Sequence, residues 1–489
     1  MNKNYFKYLV RNRKLLIGFF FVLYLVISLF LFRIDRSREI FCSIVMTAVI
    51  LSLGMAFVLP VLLFSFAMRR NSADVYFALP VSRKEMRLTS LLFAFALCYG
   101  YFLITVLIAW LLCGIGTVRL LHLAVILVFF AFVCAAMLVI NSFLYLIGNN
   151  IPDGIIILAA YTMFPLFAVL AEDLIVSNLI AGNMILVNPA KAWILSPISV
   201  LVTNCIAVID FRLADFNIPY FAAGVLYAFI GWFGLKKEFD ERKSERAEHI
   251  SDHPLAYKTI INCYAALFSL LFASSLVHYP EAEYVVAFVM LLGCYIIATF
   301  LYQRKLKLEW KSLALFGAEV IISLAIMVVG WNTRGFGLAD QIPLSQGDTL
   351  TYEYYLMADQ DDLGRGKDMS MNEVHEAYVG FTLAVKTDRI EEHQEVIDLM
   401  ESYRKKAIDN YYARKEQEYS GYLRTMNSRN GNSILEYTYP TFAPISEEDL
   451  RIINRYAEVT VNCYEYYEKW DEEPEKLLED YLDWRAHQS

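Results

Sequence analysis

The sequence predicts a polytopic all-α membrane protein of about nine transmembrane helices, followed by a C-terminal α+β soluble domain. Hydrophobic residues make up 57% of the 489 residues, and the mean hydropathy is +0.43. Both values exceed those of ordinary soluble chains. The charge is also divided unevenly, because residues 1–331 carry a net +7 and residues 332–489 carry −15. A basic, apolar front and an acidic, polar back indicate a domain boundary near Trp331.

Nine apolar segments approach the roughly 20 residues that a membrane-spanning helix needs. The first follows a basic N-terminus, as in a signal peptide, but no small-residue cleavage site comes after it. We therefore expect a retained span. The predicted spans are Leu15–Phe32, Ile40–Met68, Leu88–Cys113, Leu120–Ile147, Gly154–Ala171, Ile218–Leu235, Thr259–Val277, Tyr284–Leu301 and Leu313–Trp331.

Lys and Arg in the connecting segments predict the orientation, because they are enriched on the cytosolic side. With the N-terminus in the cytosol, the inside segments carry 20 Lys and Arg and the outside segments carry 6. The inside segments are 1–14, 69–87, 148–153, 236–258 and 302–312. The outside segments are 33–39, 114–119, 172–217 and 278–283. Nine spans then place residues 332–489 on the extracytoplasmic side.

Residues 172–217, between the fifth and sixth spans, do not resemble an ordinary loop. The segment is long and half apolar, but Asn, Pro and charged residues interrupt it, so it is too broken to span. We expect short re-entrant helices that enter the outer leaflet with support from neighbouring helices. A partly structured surface loop is the alternative.

The acidic C-terminal region has the patterns of mixed secondary structure. Alternating residues predict strands over 350–357 and 379–385, and Asn430-Gly431 predicts the turn of a β-hairpin. Helix N-terminal signals and a last acidic stretch predict three helices. These helices begin at Asp388, at Ser446 with Asp449, and near residue 473.

The sequence motifs argue against an enzyme with its own active site. The chain contains no GxxxxGK[ST] phosphate-binding loop, and HExxH, GxSxG, helix-opening GxGxxG and CxxC motifs are also absent. No cofactor or metal is therefore expected on this chain. A membrane-bound enzyme would need a convergent site within 332–489, for which His375 and His393 alone are weak evidence.

Two polar residues fall inside predicted spans. Asn141 lies in the fourth span and Glu319 in the cytosolic half of the ninth. Polar and ionisable groups in the membrane often mark functional sites. For Glu319 the alternative is a neutralised or water-exposed carboxyl group close to Lys311 at the interface.

The segment 69–87 carries the most informative local pattern. Pro80 ends any helix that precedes it, and Ser82 with Glu85 forms a capping box that starts the next. The sequence thus predicts a short helix, a sharp turn and a second helix that enters the third span. Its apolar tip, Val75–Leu79, is expected to lie either in the lipid headgroup layer or in a groove of a cytosolic partner.

The stretch "YFALPVSRKEM" (76–86) resembles the coupling helix region of ABC-2-type (type V exporter-like) ABC transporter permeases. The match falls on Leu79, Pro80, Ser82 and Arg83, with Ala78 and Glu85 in support. The resemblance implies that this segment docks on the ATPase subunit. The residues expected to do so are Tyr76, Phe77, Leu79, Pro80, Ser82, Arg83, Lys84 and Glu85.

The resemblance covers about residues 1–240, a six-helix domain that includes an amphipathic N-terminal segment. Three additional spans over 241–331 and the domain 332–489 depart from the family pattern. The resemblance implies a permease subunit that exports or extracts an amphiphile, such as an antimicrobial peptide, a lipid-linked molecule or a glycan. ATP and Mg would bind a separate cytosolic ABC ATPase subunit, and a second permease chain and membrane lipid are the other expected partners, with no nucleic acid. The alternative is an extracytoplasmic ligand sensor that relays a signal with little transport.

Overall fold

The structure is a computed structural model that describes most of the chain. The described residues are 2–31, 38–114, 118–182, 185–186, 191–212, 216–303, 310–341, 349–357, 378–386, 394–414, 422–429, 433–440, 446–456 and 458–463. The chain divides into two compact units. The first comprises Met1–Val169, Lys191–Ala265 and Cys294–Glu309, and the second comprises Leu170–Ala190, Ala266–Gly293 and Trp310–Ser489.

Helices dominate the described part of the chain. In chain order they are α1 (Lys3–Asn12), α2 (Lys14–Leu31), α3 (Arg38–Phe64), α4 (Arg70–Phe77), α5 (Arg83–Ala109), α6 (Leu120–Ile147), α7 (Ile151–Leu179), α8 (Pro197–Ile209), α9 (Ile218–Asp240), α10 (Tyr257–His278), α11 (Ala282–Gln303), α12 (Trp310–Asn332), α13 (Gln394–Tyr412) and α14 (Glu447–Asn454).

Eight of these helices, counted among the described residues, are long and apolar enough to cross a membrane. They are α3, α5, α6, α7, α9, α10, α11 and α12. These helices coincide with the second to ninth predicted spans, and α2, an 18-residue helix, coincides with the first. The fold is therefore that of a multi-pass, predominantly helical membrane protein.

The core of the first unit lies where α3, α5, α6 and α9 meet. Helix α9 approaches α6 closely because it carries glycines on the facing side. A Cβ atom on Gly234 would lie 2.4 Å from the ring of Phe143, and one on Gly231 would lie 3.1 Å from Cα of Ile140. Small residues at such positions let transmembrane helix backbones pack closely.

The segment 172–217 differs in part from its prediction. The fifth span was expected to end at Ala171, but α7 continues to Leu179. Acidic residues at 172 and 173 lower the local hydropathy without breaking a helix, and the next strong breaker is Gly182, whose φ is +82°. Helix α8 is a short helix, as predicted. It begins at an N-cap formed by Ser196.

Helix α8 packs within the first unit against α3, α6 and α9. Its buried residues include Leu201 and Cys205. The amide of Asn204 donates to the carbonyl of Asn217, and the Asn217 N–H donates back to Asn204 Oδ1. This pair of hydrogen bonds holds the short helix against the start of α9.

The second unit contains an antiparallel sheet. Its strands are β1 (Ile185–Leu186), β2 (Thr349–Met357), β3 (Tyr378–Lys386), β4 (Tyr422–Arg429), β5 (Ser433–Pro440) and β6 (Glu458–Cys463). The strand order is β1-β5-β4-β2-β3-β6. Strands β2 and β3 coincide with the two predicted strands and pair with each other, and β4 and β5 pair as the predicted hairpin, with Arg429 opposite Ser433.

The remaining predictions for the C-terminal region have mixed outcomes. The Ser446 hydroxyl accepts from the Asp449 N–H and caps α14, as predicted. Helix α13 lies within the helix expected after Asp388. The predicted N-cap Asp388, the turn Asn430-Gly431 and the helix near 473–486 lie outside the described residues. The sheet also includes β1, from the segment between α7 and α8, which was not predicted.

Candidate functional site: a loop junction in the first unit

The 69–87 segment has the predicted helix–turn–helix form. Helix α4 ends at Phe77, and the turn is closed by a backbone hydrogen bond from the Leu79 N–H to the Tyr76 carbonyl at 3.2 Å. Ser82 is the N-cap of α5, because its Oγ accepts from the Glu85 N–H at 3.2 Å. The Ser82 hydroxyl also lies 3.2 Å from Glu85 Oε2. The prediction that Ser82 caps α5 is confirmed, and Glu85 contacts the Ser82 hydroxyl.

The apolar tip, in contrast, is only partly exposed. The Tyr76 ring stacks on Phe66 at a centroid distance of 4.2 Å, and the Phe77 ring packs edge-on against Phe66 and Phe239. Leu79 packs against the hydrophobic core. The exposed side chains of the tip are those of Val75, which is 64% exposed, and Ala78. A partner at this segment would therefore meet Val75 and its exposed neighbours rather than the aromatic rings.

Arg83 stabilises the segment from within. Its guanidinium lies 4.4 Å from the centre of the Phe77 ring. Nη1 also donates to two main-chain carbonyls at the C-terminal end of α9, those of Asp240 at 3.1 Å and Arg242 at 2.5 Å. Arg83 therefore joins the turn to the end of α9, whereas Pro80 and Lys84 are exposed.

Arg87 and Asp240 form a second connection between α5 and α9. Nε and Nη2 of Arg87 donate to the two carboxylate oxygens of Asp240 at 3.1 and 3.0 Å, which is a bidentate geometry. The Arg87 side chain is almost fully buried, and Asp240 is about a quarter exposed. Arg87 also lies over the Trp232 ring of α9. Of the five basic residues of 69–87, Arg83 and Arg87 therefore make internal contacts, whereas Arg69, Arg70 and Lys84 are exposed.

Arg242 lies at the centre of the loop junction, the place where the segments that follow α3, α6 and α9 meet, and it is 2% exposed. Its guanidinium donates to the carbonyls of Ala67 at 3.2 Å, Leu146 at 2.8 Å and Gly148 at 2.8 Å. These carbonyls lie just after α3 and at the end of α6, where helix carbonyls lack intrahelical partners. Burial lowers the pKa of Arg242 to about 10, so the group remains a cation at neutral pH and complements the negative helix ends.

The loop between α6 and α7 is covered by the segment that follows α9. The Glu248 N–H donates to the Asn149 carbonyl at 2.9 Å, and the Asn149 amide donates to the Ile250 carbonyl at 3.2 Å. The Tyr257 hydroxyl donates to Asp153 at 2.7 Å. Residues 148–153 contain no Lys or Arg, and these contacts give them a structural role in the junction.

The N-terminal helix reaches the same end of the first unit. The Asn2 side chain caps α1, and its backbone N–H donates to Thr89 of α5 at 3.4 Å. The hydroxyls of Tyr8 and Tyr76 lie 3.2 Å apart. Four segments predicted to lie on one side of the membrane, namely 1–14, 69–87, 148–153 and 236–258, therefore meet in one place.

Asn141, the polar residue predicted inside the fourth span, has a structural partner. Its Nδ2 donates to the Ala56 carbonyl of α3 at 3.0 Å, and the side chain is 2% exposed. In a regular helix that carbonyl would accept from the N–H of residue 60. Residue 60 is a proline inside α3, so it has no N–H to donate. Asn141 supplies the hydrogen bond that Pro60 cannot.

Glu319 lies in the second unit, on α12. Its side chain is half-buried, and Oε2 is buried without a hydrogen-bond partner among the described residues. Lys311, proposed as its neighbour at the interface, is exposed two turns earlier. Glu319 thus belongs to the second compact unit, and Asn141 belongs to the first.

Helix α13 of the second unit caps the ends of three long helices. The Tyr411 hydroxyl lies 3.0 Å from the Asn178 carbonyl near the end of α7 and 3.0 Å from Nδ1 of His278 at the end of α10. The Tyr412 hydroxyl donates to the Leu179 carbonyl at 2.6 Å. Both tyrosine rings pack against Trp331 at the end of α12. The C-terminal ends of α7, α10 and α12 therefore share one face, as alternating spans require.

The comparisons and the metal-site geometry give no further assignment. Among the described residues, no group of three or more His, Cys, Asp or Glu side chains is arranged to hold a metal ion. No family model, curated protein or solved structure matches this chain.

Proposed function

We propose that this chain is the permease subunit of an ATP-driven ABC transporter, with ATP hydrolysed by a separate cytosolic subunit. The observation that supports this most is the 69–87 segment. It presents a short exposed surface, while its buried residues fix it to the ends of several membrane helices. A partner that binds such a segment can pull on those helices together.

The mechanical argument rests on three connections. Arg83 hydrogen-bonds the turn to the backbone at the end of α9, and Arg87 joins α5 to Asp240 of α9. Arg242, which follows α9, hydrogen-bonds to the ends of α3 and α6. A displacement of Val75 toward an ATPase would therefore move these helix ends as one body. Docking energy could then favour one of two helix arrangements, which is the way that a partner biases a conformational equilibrium.

The membrane orientation is part of the proposal. The four segments of the junction together carry 16 of the 20 Lys and Arg residues assigned to the inside, which favours the cytosol for this end. The C-terminal strands and helices of the second unit follow α12, and residues 332–489 have a net charge of −15. We assign them to an extracytoplasmic α+β domain.

The transported substrate is proposed to be an amphiphile, with two permease chains lining its path. The long helices of the first unit bury apolar side chains between them. A path between two chains would let an amphiphile remain in contact with lipid.

Co-purification tests the function. The chain is co-expressed with the ABC ATPase encoded nearest to its gene, and Val75→Asp is compared with the native protein. A carboxylate placed in an apolar contact costs several kcal/mol, so we expect Val75→Asp to retain less than a tenth of the ATPase.

The matched control is Leu255→Asp, because Leu255 is an apolar residue of the same unit that is 40% exposed and lies outside the 69–87 segment. This variant should retain the ATPase. If native protein and both variants recover equal amounts of ATPase, or none, the coupling role of this segment is wrong. If the native protein itself binds no ATPase, the sensor alternative is favoured.

A further inference from the structure

The N-terminal helix α1 separates its residues onto two opposite faces. Tyr5 and Leu9 are buried, and the Phe6 ring packs edge-on against Phe93 of α5 at 5.9 Å. At about 100° per residue, Lys3, Lys7 and Arg11 fall within an arc of about 80° that lies opposite Tyr5 and Leu9. All three cations are exposed. We call them the α1 basic stripe.

Among the described residues, the α1 basic stripe has no acidic partner. The first acidic residue of the chain is Asp35, so α1 and α2 contain no carboxylate side chain. Within the described part of the chain, no hydrogen bond or ion pair reaches the side chains of Lys3, Lys7 or Arg11. By comparison, residues 236–248 contain five basic and five acidic residues.

The chain connection places this stripe at the boundary of the apolar layer. Helix α1 ends at Asn12, and α2 begins at Lys14 and continues directly into the first apolar segment. Leu15, the next residue, is 91% exposed. Arg13 anchors this joint, because its Nη2 donates to the Leu62 carbonyl near the end of α3 at 3.0 Å. The α1 basic stripe is therefore held beside the polar end of a membrane helix.

We infer that the α1 basic stripe is a binding site for the phosphate headgroups of anionic phospholipids. Clustered Lys and Arg next to the end of a transmembrane helix are attracted to an anionic leaflet. The apolar face of α1 is occupied by α5, so the exposed cations can contact headgroups without unfolding the helix. This inference does not depend on the ATPase proposal, since the lipid site is on α1 and not on the 69–87 segment.

The three cations of the α1 basic stripe determine the expected affinity for anionic lipid. Each cation near an anionic surface contributes about fivefold in affinity. Binding to phosphatidylglycerol should therefore be at least tenfold tighter than binding to phosphatidylcholine, and it should weaken as salt is added.

The test measures lipid binding to the full chain, purified in neutral detergent without an ATPase. Native mass spectrometry counts bound phosphatidylglycerol and phosphatidylcholine over a titration of each lipid. The variant Lys3→Gln/Lys7→Gln/Arg11→Gln should lose at least tenfold of its affinity for phosphatidylglycerol and keep that for phosphatidylcholine. The charge-conserving variant Lys3→Arg/Lys7→Arg/Arg11→Lys should behave as the native protein, which controls for folding.

A matched control removes the same number of charges elsewhere. Lys236→Gln/Lys237→Gln/Lys243→Gln changes three exposed lysines of residues 236–248, where basic and acidic residues are equal in number. This variant should keep its affinity for phosphatidylglycerol within about twofold of the native value. The inference is overturned if the native protein binds both lipids equally, or if the control loses as much as the stripe variant. Displacement of the lipid by millimolar inorganic phosphate would also overturn it, since the stripe would then be a general anion site.

Discussion

The hydrogen bond between Asn141 and the Ala56 carbonyl makes a specific prediction about Pro60. If Asn141 donates to the carbonyl that the proline leaves without a donor, then the contribution of Asn141 to the free energy of unfolding should depend on the proline. We therefore consider a double-mutant cycle of Asn141→Leu and Pro60→Ala. In the Pro60→Ala protein, residue 60 regains an N–H that can donate to the Ala56 carbonyl.

The magnitude follows from the environment of this bond. Both groups are buried between α3 and α6, where water cannot replace the lost donor. Interhelical hydrogen bonds in membranes contribute about 0.6 kcal/mol on average and up to about 1.7 kcal/mol. Because the carbonyl has no alternative partner in the native helix, we expect Asn141→Leu to cost about 1–2 kcal/mol. In the Pro60→Ala background the same change should cost less than about 0.5 kcal/mol, a coupling of about 1 kcal/mol.

The assay is reversible unfolding in mixed micelles, with free energies of unfolding measured for all four proteins. Asn204→Leu provides a matched control, because the Asn204 amide bonds to Asn217 rather than to α3. Its cost should be the same with proline or alanine at position 60. A coupling between Asn141 and Pro60 below about 0.3 kcal/mol, or one equal to that of Asn204, would refute the role assigned to Asn141.

Three further predictions concern packing and polar contacts, each measured as a change in the free energy of unfolding. Arg242→Met should cost at least about 3 kcal/mol, because it leaves several buried carbonyls without donors. The control Arg246→Met, at an exposed position, should change stability by less than about 0.5 kcal/mol. Equal effects would contradict the role of Arg242 in joining the loop segments. Gly234→Ala should cost about 1–3 kcal/mol through contact with α6, whereas Gly293→Ala, with no atom within 4 Å of the added Cβ, should be neutral or slightly stabilising. Tyr411→Phe should cost about 1–3 kcal/mol and speed proteolysis near α13; an unchanged cleavage rate would argue against its capping role.

Long apolar runs predicted the long apolar helices well, because a helix satisfies the backbone hydrogen bonds of a single segment within that segment. The boundaries were less predictable where charge and helix propensity disagree. Glu172 and Asp173 mark the edge of an apolar run, yet α7 continues past both to Leu179. The strong local signals succeeded: Ser82 and Ser446 both cap the helices that their sequences indicate.

The composition of the loop junction could not be predicted from local patterns. Arg242 lies in a highly charged stretch that is typical of a solvated surface, but it is buried and bonds to two segments distant in sequence, 67–68 and 146–149. Tyr76 and Phe77 were expected, as part of the apolar tip, to contact lipid headgroups or a partner. Their partners within the chain, Phe66 and Phe239, are identified by the tertiary fold. The partner of Asn141 had a weak signal in the sequence, namely a proline inside a predicted span.

Photo-crosslinking at position 75 is the most direct test of the proposed coupling to an ATPase. A photoreactive amino acid replaces Val75 in the full chain, in cells that also produce the ABC ATPase encoded nearest to its gene. The same replacement at Val225, an exposed residue of α9, serves as the reference position within the apolar layer. We predict an adduct with the ATPase at position 75 and none at position 225. An adduct with lipid alone at both positions would contradict the account.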